Sequence, residues 1–69
     1  MANSTIENIK KNIKKYRNLR GLTQEKLGEI CNISHDYISE IERGRKVPSL
    51  KRLVIIAEAL GVTLGDLEK

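Results

Sequence analysis

The stretch from Gln24 to Arg43, QEKLGEICNISHDYISEIER, contains two short helical patterns separated by a tight turn. Leu27 and Cys31 are four residues apart, so they lie on one face of a first helix. Ile38 and Ile41 are three residues apart and mark one face of a second helix. These two apolar faces predict a pair of helices that pack against a common core.

The connection between the two helices carries the residues that a tight turn requires. Asn32 can adopt the left-handed backbone conformation, a role usually given to Gly or Asn. Ser34 is placed to cap the second helix by accepting a hydrogen bond from an otherwise unpaired backbone amide. Gly28 costs the first helix roughly 1 kcal/mol relative to Ala, so we expect it to permit a close approach of the second helix. Together these features predict a helix-turn-helix, whose second helix can lie in a DNA groove.

The composition predicts one small domain that spans residues 1–69. Hydrophobic residues make up 39% of the chain, with no Trp or Phe and only two Tyr. Stability must therefore come from aliphatic side chains packed between helices. The single cysteine, Cys31, excludes an internal disulfide and a cysteine-rich zinc site. Because Cys31 falls on the predicted inner face, a core position is favoured over a reactive thiol.

The net charge of +4 and the pI near 9.5 suit an anionic partner. Six cationic residues lie before the central stretch, in the segment of helix 1: Lys10, Lys11, Lys14, Lys15, Arg17 and Arg20. Five more lie at the end of the central stretch or after it: Arg43, Arg45, Lys46, Lys51 and Arg52. Many charged helix faces are merely solvated, so the basic segments alone do not decide the partner.

The sequence has no pattern typical of a membrane protein, an exported protein or an enzyme. No apolar run approaches the ~18 residues of a membrane span, and no secretory signal opens the chain, so we expect a cytoplasmic protein. No residues are spaced as a nucleophile and base, a carboxylate pair or a glycine-rich phosphate loop. His35 is the only histidine and has no second ligand at helical spacing. We therefore predict no metal, no cofactor and no small-molecule ligand.

Helix caps and helix breakers divide the chain into five predicted helices. Ser4 and Glu7 are spaced as a capping box, which starts helix 1 near Thr5 and lets it run to about Arg20. The other four helices follow residues that commonly cap helix N-termini: Thr23, Ser34, Ser49 and Thr63. No segment shows the alternation of a β-strand, so the predicted fold is all-α, a compact domain of five helices.

Apolar residues at helical spacing predict which faces of helices 1 and 4 are buried. In helix 1 these residues are Ile6, Ile9, Ile13, Tyr16 and Leu19. In helix 4 they are Leu50, Leu53, Val54, Ala57 and Leu60. Arg17 falls on the inward arc of helix 1, where a cation requires a partner. Glu42, at the inward edge of helix 3, is the predicted partner.

The motifs described above and their spacing along the chain resemble those of the Cro/lambda-repressor-like helix-turn-helix family, often called XRE. The resemblance covers roughly residues 6–67. It is carried by Leu22-Thr23-Gln24, Leu27-Gly28, Asn32-Ile33-Ser34, Tyr37-Ile38-Ser39, Ile41-Glu42-Arg43-Gly44, Pro48-Ser49 and Ala59-Leu60-Gly61-Val62. It implies a compact five-helix DNA-binding domain that acts as a dimer on a near-palindromic operator. The helix-turn-helix itself occupies residues 24–43.

The resemblance also implies a set of DNA-binding residues. Gln24 matches a glutamine that typically touches a phosphate. The positions that meet DNA from the recognition helix are matched by Ser34, His35, Asp36, Ser39 and Glu40. Positions that contact the DNA backbone are matched by Arg43, Arg45 and Lys46. Arg17 and Glu42 match a buried ion pair that ties helix 1 to helix 3, in agreement with the pairing expected from the helical faces.

Asp36 and Glu40 depart from the pattern, because relatives often place Gln, Arg, Asn or Ser at these positions. Carboxylates repel phosphates, but in the major groove they can accept a hydrogen bond from the cytosine amino group. Alternatively, the helix dipole favours Asp36 in the first turn, and Glu40 can pair with Arg43 one turn on. The sequence leaves both interpretations open.

The leading functional hypothesis is a sequence-specific transcriptional regulator, and a repressor in particular, that binds double-stranded DNA as a homodimer. The dimer would place two recognition helices about 34 Å apart, one turn of DNA. We expect the dimer contacts around Val62, Leu64 and Leu67, although these side chains are equally consistent with covering the core. The acidic residues of helix 3 keep open a protein-interaction role, such as the antitoxin of a toxin–antitoxin pair or an antirepressor.

Overall fold

The computed structural model describes residues 2–69, with side chains from residue 5 onward. These residues form five α-helices: α1 (Ala2–Leu19), α2 (Gln24–Cys31), α3 (His35–Glu42), α4 (Leu50–Leu60) and α5 (Leu64–Glu68). This part of the chain contains no β-strand, and the predicted all-α, five-helix fold is confirmed. Among these helices, none is both long enough and apolar enough to cross a bilayer.

The predicted N-terminal caps of the four later helices are confirmed. The hydroxyl groups of Thr23, Ser34, Ser49 and Thr63 each accept a hydrogen bond from the backbone N–H three residues further on. Asp66 completes a reciprocal capping box by accepting from the backbone N–H of Thr63 at 3.0 Å. The hydrogen bond from the backbone N–H of Thr63 is the main reason that the pKa of the Asp66 carboxyl lies below its usual value, and the Thr63 side chain adds to the effect.

The predicted start of α1 is wrong. The helix begins at Ala2 rather than near Thr5, so Ser4 lies inside the first turns and not at the cap. No glycine or proline interrupts residues 2–5, and a capping signal alone does not prevent a helix from extending further. The expected capping-box contact involves the side chain of Ser4, which lies outside the side chains that the structure describes.

The turn between α2 and α3 is built as the sequence predicts. Asn32 adopts the left-handed conformation, with φ 56° and ψ 44°. The backbone N–H of Ile33 donates to the carbonyl oxygen of Gly28 at 2.8 Å. A Cβ atom at Gly28 would lie 2.5 Å from the carbonyl oxygen of Ile33, so a larger residue cannot be accommodated without movement. The chain that enters α3 therefore approaches α2 as closely as expected.

Every helix contributes to one aliphatic core. The buried side chains are Ile9, Ile13, Leu27, Cys31, Ile38, Ile41, Leu53, Ile56, Ala57, Leu60 and Leu67. Helix α2 packs on α3, and α1 packs along α5 and α3. Burying each of the larger side chains contributes about 1.5–3 kcal/mol relative to exposure. Cys31 lies in this core, and burial raises the pKa of its thiol.

Several predicted core positions are exposed. Leu19 and Leu50 are 71% and 67% exposed, and Ile6 and Val54 are 40% exposed. Ile56, absent from the predicted stripe of α4, is fully buried. Helical periodicity identifies an apolar arc but not the part of that arc that neighbouring helices cover. On α4 the covered arc centres on Leu53, Ile56, Ala57 and Leu60 and turns the flanking apolar residues to solvent.

Two asparagines of α1 hold the short C-terminal helix in place. The side-chain amide of Asn12 donates to the carbonyl oxygen of Leu67 at 2.9 Å and to that of Asp66 at 3.3 Å. The amide of Asn8 donates to the carbonyl oxygen of Glu68 at 3.2 Å. Since the last carbonyls of a helix have no partners within it, these amides complete α5 and fix it against α1.

We expect Gly28→Ala to lower the free energy of unfolding by about 1–3 kcal/mol, because the added methyl group meets a rigid backbone carbonyl. Gly65→Ala is the matched control, since a Cβ atom there would have its nearest neighbour at 3.7 Å. The control substitution should raise stability by about 0.5–1 kcal/mol, because Ala favours the helix. Chemical denaturation measures both values, and equal responses would contradict the close approach.

Candidate nucleic-acid interface

The structure brings Arg17 and Glu42 together in a buried ion pair. Arg17 Nε donates to Glu42 Oε2 at 2.7 Å, and Nη2 donates to Oε1 at 3.0 Å. Arg17 Nη1 also donates to the carbonyl oxygen of Leu22 at 2.8 Å. Only 10% of the Arg17 side chain and 4% of the Glu42 side chain are exposed. The hydrogen bonds to Glu42 raise the pKa of Arg17 against the opposing effect of burial.

Gln24 belongs to the same network, which the sequence did not indicate. Its side-chain Nε2 donates to Glu42 Oε1 at 3.1 Å. The Glu42 carboxylate therefore accepts three hydrogen bonds, from groups on α1 and α2. The amide of Gln24 carries a second N–H, so the residue keeps a donor for the predicted phosphate contact. The network joins α1, α2 and α3 and so fixes the orientation of α3.

The predicted DNA-reading residues lie together on the outer side of α3. Ser34, His35 and Asp36 are exposed, whereas Ser39 and Glu40 are half-buried. The Asp36 side chain is 93% exposed, and its Oδ1 lies 3.7 Å from Nδ1 of His35. The hydroxyl group of Ser34 also accepts the capping hydrogen bond from the N–H of Tyr37 at 3.1 Å. This face thus presents hydroxyl, imidazole and carboxylate groups side by side.

The loop after α3 places three cations beside this face. Arg43, Arg45 and Lys46 are all exposed. The backbone N–H groups of Arg45 and Lys46 both donate to the carbonyl oxygen of Glu40, at 2.9 and 3.3 Å, which folds the loop over the end of α3. Within residues 5–69 these three side chains form no ion pair. The alternative pairing of Glu40 with Arg43 is therefore not formed, and the cations are available to an anionic partner.

The Tyr37 ring adds two further contacts that the sequence did not indicate. Lys46 Nζ lies 5.7 Å from the ring centroid, and Arg52 Cζ lies 4.9 Å from it. Tyr37 itself is half-buried against the core. The sequence offers one signal that could have pointed to these contacts. Arg52 lies in the first turn of α4, where the helix dipole disfavours a cation.

One of the three predicted dimer contacts is wrong. Leu67 is fully buried, because its side chain fills the core where α5 packs on α1, so it cannot meet a second copy. Val62 and Leu64 are half-buried and pack against the same core. They retain some exposed surface. No group of three or more His, Cys, Asp or Glu side chains in the described part of the chain is arranged to hold a metal ion.

Known proteins are similar to this chain in sequence and in fold. The model of the family HTH_3, described as helix-turn-helix, matches residues 13–67. The control protein C.SmaI of Serratia marcescens is 36% identical over 61 residues, which cover 88% of this chain and 73% of C.SmaI. The immunity repressor protein of Bacillus phage phi105 is 45% identical over 53 residues, which cover 77% of this chain and 37% of the repressor.

A solved structure of similar length has the same architecture. It is the crystal structure of the restriction-modification controller protein C.AhdI from Aeromonas hydrophila, with a TM-score of 0.84 and 25% sequence identity. The similarity covers 97% of this chain and 98% of C.AhdI. All five helices described above therefore lie within the shared fold.

Removing the carboxylate of the buried pair should be costly. We expect Glu42→Ala to lower the free energy of unfolding by about 3–5 kcal/mol, because it leaves the buried Arg17 without a counter-charge. Glu29→Ala is the control, since Glu29 forms only an exposed 3.7 Å pair with Lys26 and its loss should cost less than about 1 kcal/mol. Thermal and denaturant unfolding measure both. An unchanged midpoint for Glu42→Ala would show that the pair does not stabilise the fold.

Proposed function

The chain belongs to the helix-turn-helix family HTH_3 and is a non-enzymatic, DNA-binding transcriptional regulator, and we propose that it is a repressor that binds a near-palindromic operator as a homodimer. One observation carries the proposal. The exposed polar face of α3 is flanked by cations without acidic partners and is held in orientation by the buried Arg17–Glu42 pair. The similarity to a phage immunity repressor supports repression over activation. The cytoplasm is the proposed location.

The cationic residues and the base-facing residues have different roles in this proposal. Phosphate contacts fix the position of a protein on the duplex, and contacts to base edges supply the specificity. Contacts to the DNA backbone are made by Gln24, Arg43, Arg45 and Lys46. The residues that enter the major groove with α3 are Ser34, His35, Asp36, Ser39 and Glu40. All nine lie on or beside the outer side of the helix-turn-helix.

Asp36 is the stronger candidate of the two acidic residues for reading a base. Its side chain is almost fully exposed, whereas Glu40 is half-buried. A carboxylate can accept a hydrogen bond from the N4 amino group of cytosine, which is the donor that a C·G pair presents in the major groove. The helix dipole also favours a carboxylate in the first turn of α3, so Asp36 carries little cost to the fold.

The proposed dimer places two copies of α3 in successive major grooves, about 34 Å apart along the duplex. Val62 and Leu64 remain the proposed contacts, because each keeps part of its apolar surface exposed after packing on the core.

Exposed carboxylates on α2 and α3, among them Glu25, Glu29 and Asp36, favour a second candidate function. In that case the same surface would bind a protein, as in an antitoxin or an antirepressor.

Selection of bound duplexes from a random DNA pool at about 0.15 M salt tests the proposal, followed by a mobility shift on the enriched sequence. We expect an inverted repeat whose half-sites are about 10 base pairs apart, centre to centre, with a C·G pair facing Asp36. Enrichment of a single half-site would contradict the dimer but leave base reading intact. With no enriched sequence, stable co-purification with a protein encoded next to the gene would favour the second candidate function.

A phosphate contact by Arg43 has a defined signature in the salt dependence of binding. We expect Arg43→Ala to weaken binding to all duplexes by a similar factor and to reduce the slope of log K against log salt by about 0.9. Lys11→Ala on the outer side of α1 is the control and should leave the slope unchanged. A changed base preference with the original slope would instead assign Arg43 to base reading.

A further inference from the structure

Tyr37 brings together two cations from different parts of the chain. Its ring, on the first turn of α3, lies 5.7 Å from Lys46 Nζ in the α3–α4 loop and 4.9 Å from Arg52 Cζ on α4. Two like charges repel each other, but each is attracted to the electron-rich face of an aromatic ring. The half-buried ring is itself held by the core, so it provides a fixed point for both flexible side chains.

Neither cation is neutralised by an acidic side chain in the described part of the fold, and Arg52 also lies at a position that disfavours positive charge. Arg52 occupies the first turn of α4, where the helix dipole disfavours positive charge and where no acidic residue is present. Neither Arg52 nor Lys46 forms an ion pair within residues 5–69. A cation that conflicts with a local preference and has no acidic partner to neutralise it indicates a functional constraint.

We propose that Lys46 and Arg52 bind a phosphate of the operator together, and that Tyr37 is the positioning residue that holds them for it. This proposal rests on the proposed function and adds Arg52 to the DNA-contacting residues. A salt bridge would occupy the N–H donors of Arg52, whereas its contact with the ring leaves them available to the paired oxygens of a phosphate. The Tyr37–Lys46–Arg52 cluster therefore supplies guanidinium and ammonium donors next to α3.

The position of the ring links this phosphate contact to base reading. Tyr37 directly follows His35 and Asp36, two of the residues proposed to face the bases. A phosphate held against the cluster would therefore set the register of α3 in the groove without selecting a base itself. Loss of the cluster should weaken binding to operator and scrambled duplexes by the same factor.

The experiment measures the salt dependence of binding to the selected operator and to a scrambled duplex of equal length. We expect Arg52→Gln to reduce the slope of log K against log salt by about 0.9 and to weaken both complexes about fivefold at 0.15 M salt. Tyr37→Leu should weaken both about two- to fivefold, whereas Tyr37→Phe keeps the ring and should stay within about twofold of the original protein. Unfolding temperatures confirm that each variant is folded at the assay temperature.

A double-mutant cycle separates positioning by Tyr37 from a general effect on the fold. Tyr37→Leu should cost less on the Arg52→Gln background than in the original protein, because only its contact with Lys46 then remains to be lost. Its cost should be unchanged on a Lys51→Gln background, the matched control, since Lys51 is the neighbouring cation on α4. Additive effects of Tyr37→Leu and Arg52→Gln would overturn the positioning role. Equal losses with Tyr37→Phe and Tyr37→Leu would overturn it too, because they would assign the contact to the hydroxyl group.

The outcomes also separate this proposal from the proposed function. If Arg43→Ala reduces the salt slope and Arg52→Gln does not, DNA binding stands and the Arg52 phosphate contact is overturned. If the unsubstituted protein binds neither duplex, both the proposed function and the cluster's role are overturned.

Discussion

The carboxylate of Glu42 is the group on which the arrangement of the first three helices depends. It accepts hydrogen bonds from Arg17 on α1 and from Gln24 on α2 while it is itself part of α3. A buried ion pair contributes little stability compared with a well-packed apolar contact, but it is highly sensitive to the loss of either partner. Such a pair therefore specifies one relative orientation of the helices. In the proposed complex with DNA, that orientation determines which side chains of α3 reach the bases.

The proposed DNA-binding surface lies where cations have no acidic partners among the side chains described, whereas charge inside the fold is neutralised. Inside the fold, Arg17 is paired with Glu42, and every buried side-chain N or O atom in the described residues has a hydrogen-bond partner. On the surface, the cations of the loop after α3 form no ion pair within residues 5–69. The ring of Tyr37 contacts both Lys46 and Arg52 and so places these two cations next to each other. Free cations next to an ordered polar helix are suited to a polyanion with a regular groove, as double-stranded DNA is.

Much of the fold was predictable because its signals are local. The caps at Thr23, Ser34, Ser49 and Thr63 set the starts of four helices, and Asn32 and Gly28 define the tight turn. The partner of Arg17 was predictable as well, since the helical wheel placed Glu42 at the inward edge of α3. The contacts of Gln24 with Glu42 and of Tyr37 with Arg52 were not predictable, because each joins residues on different helices with no pattern in the intervening sequence.

The sequence by itself determined the number of helices, the helix-turn-helix and the polar character of the face that α3 presents. These properties follow from side-chain periodicity, capping and backbone preference, which act over a few residues. Only the tertiary structure decided how deeply each apolar residue is buried: it exposes Leu19 and Leu50, places Leu67 in the core and fixes α5 through Asn12. The physical reason is that burial depends on which surfaces of neighbouring helices meet, and that geometry arises from contacts between residues far apart in the chain.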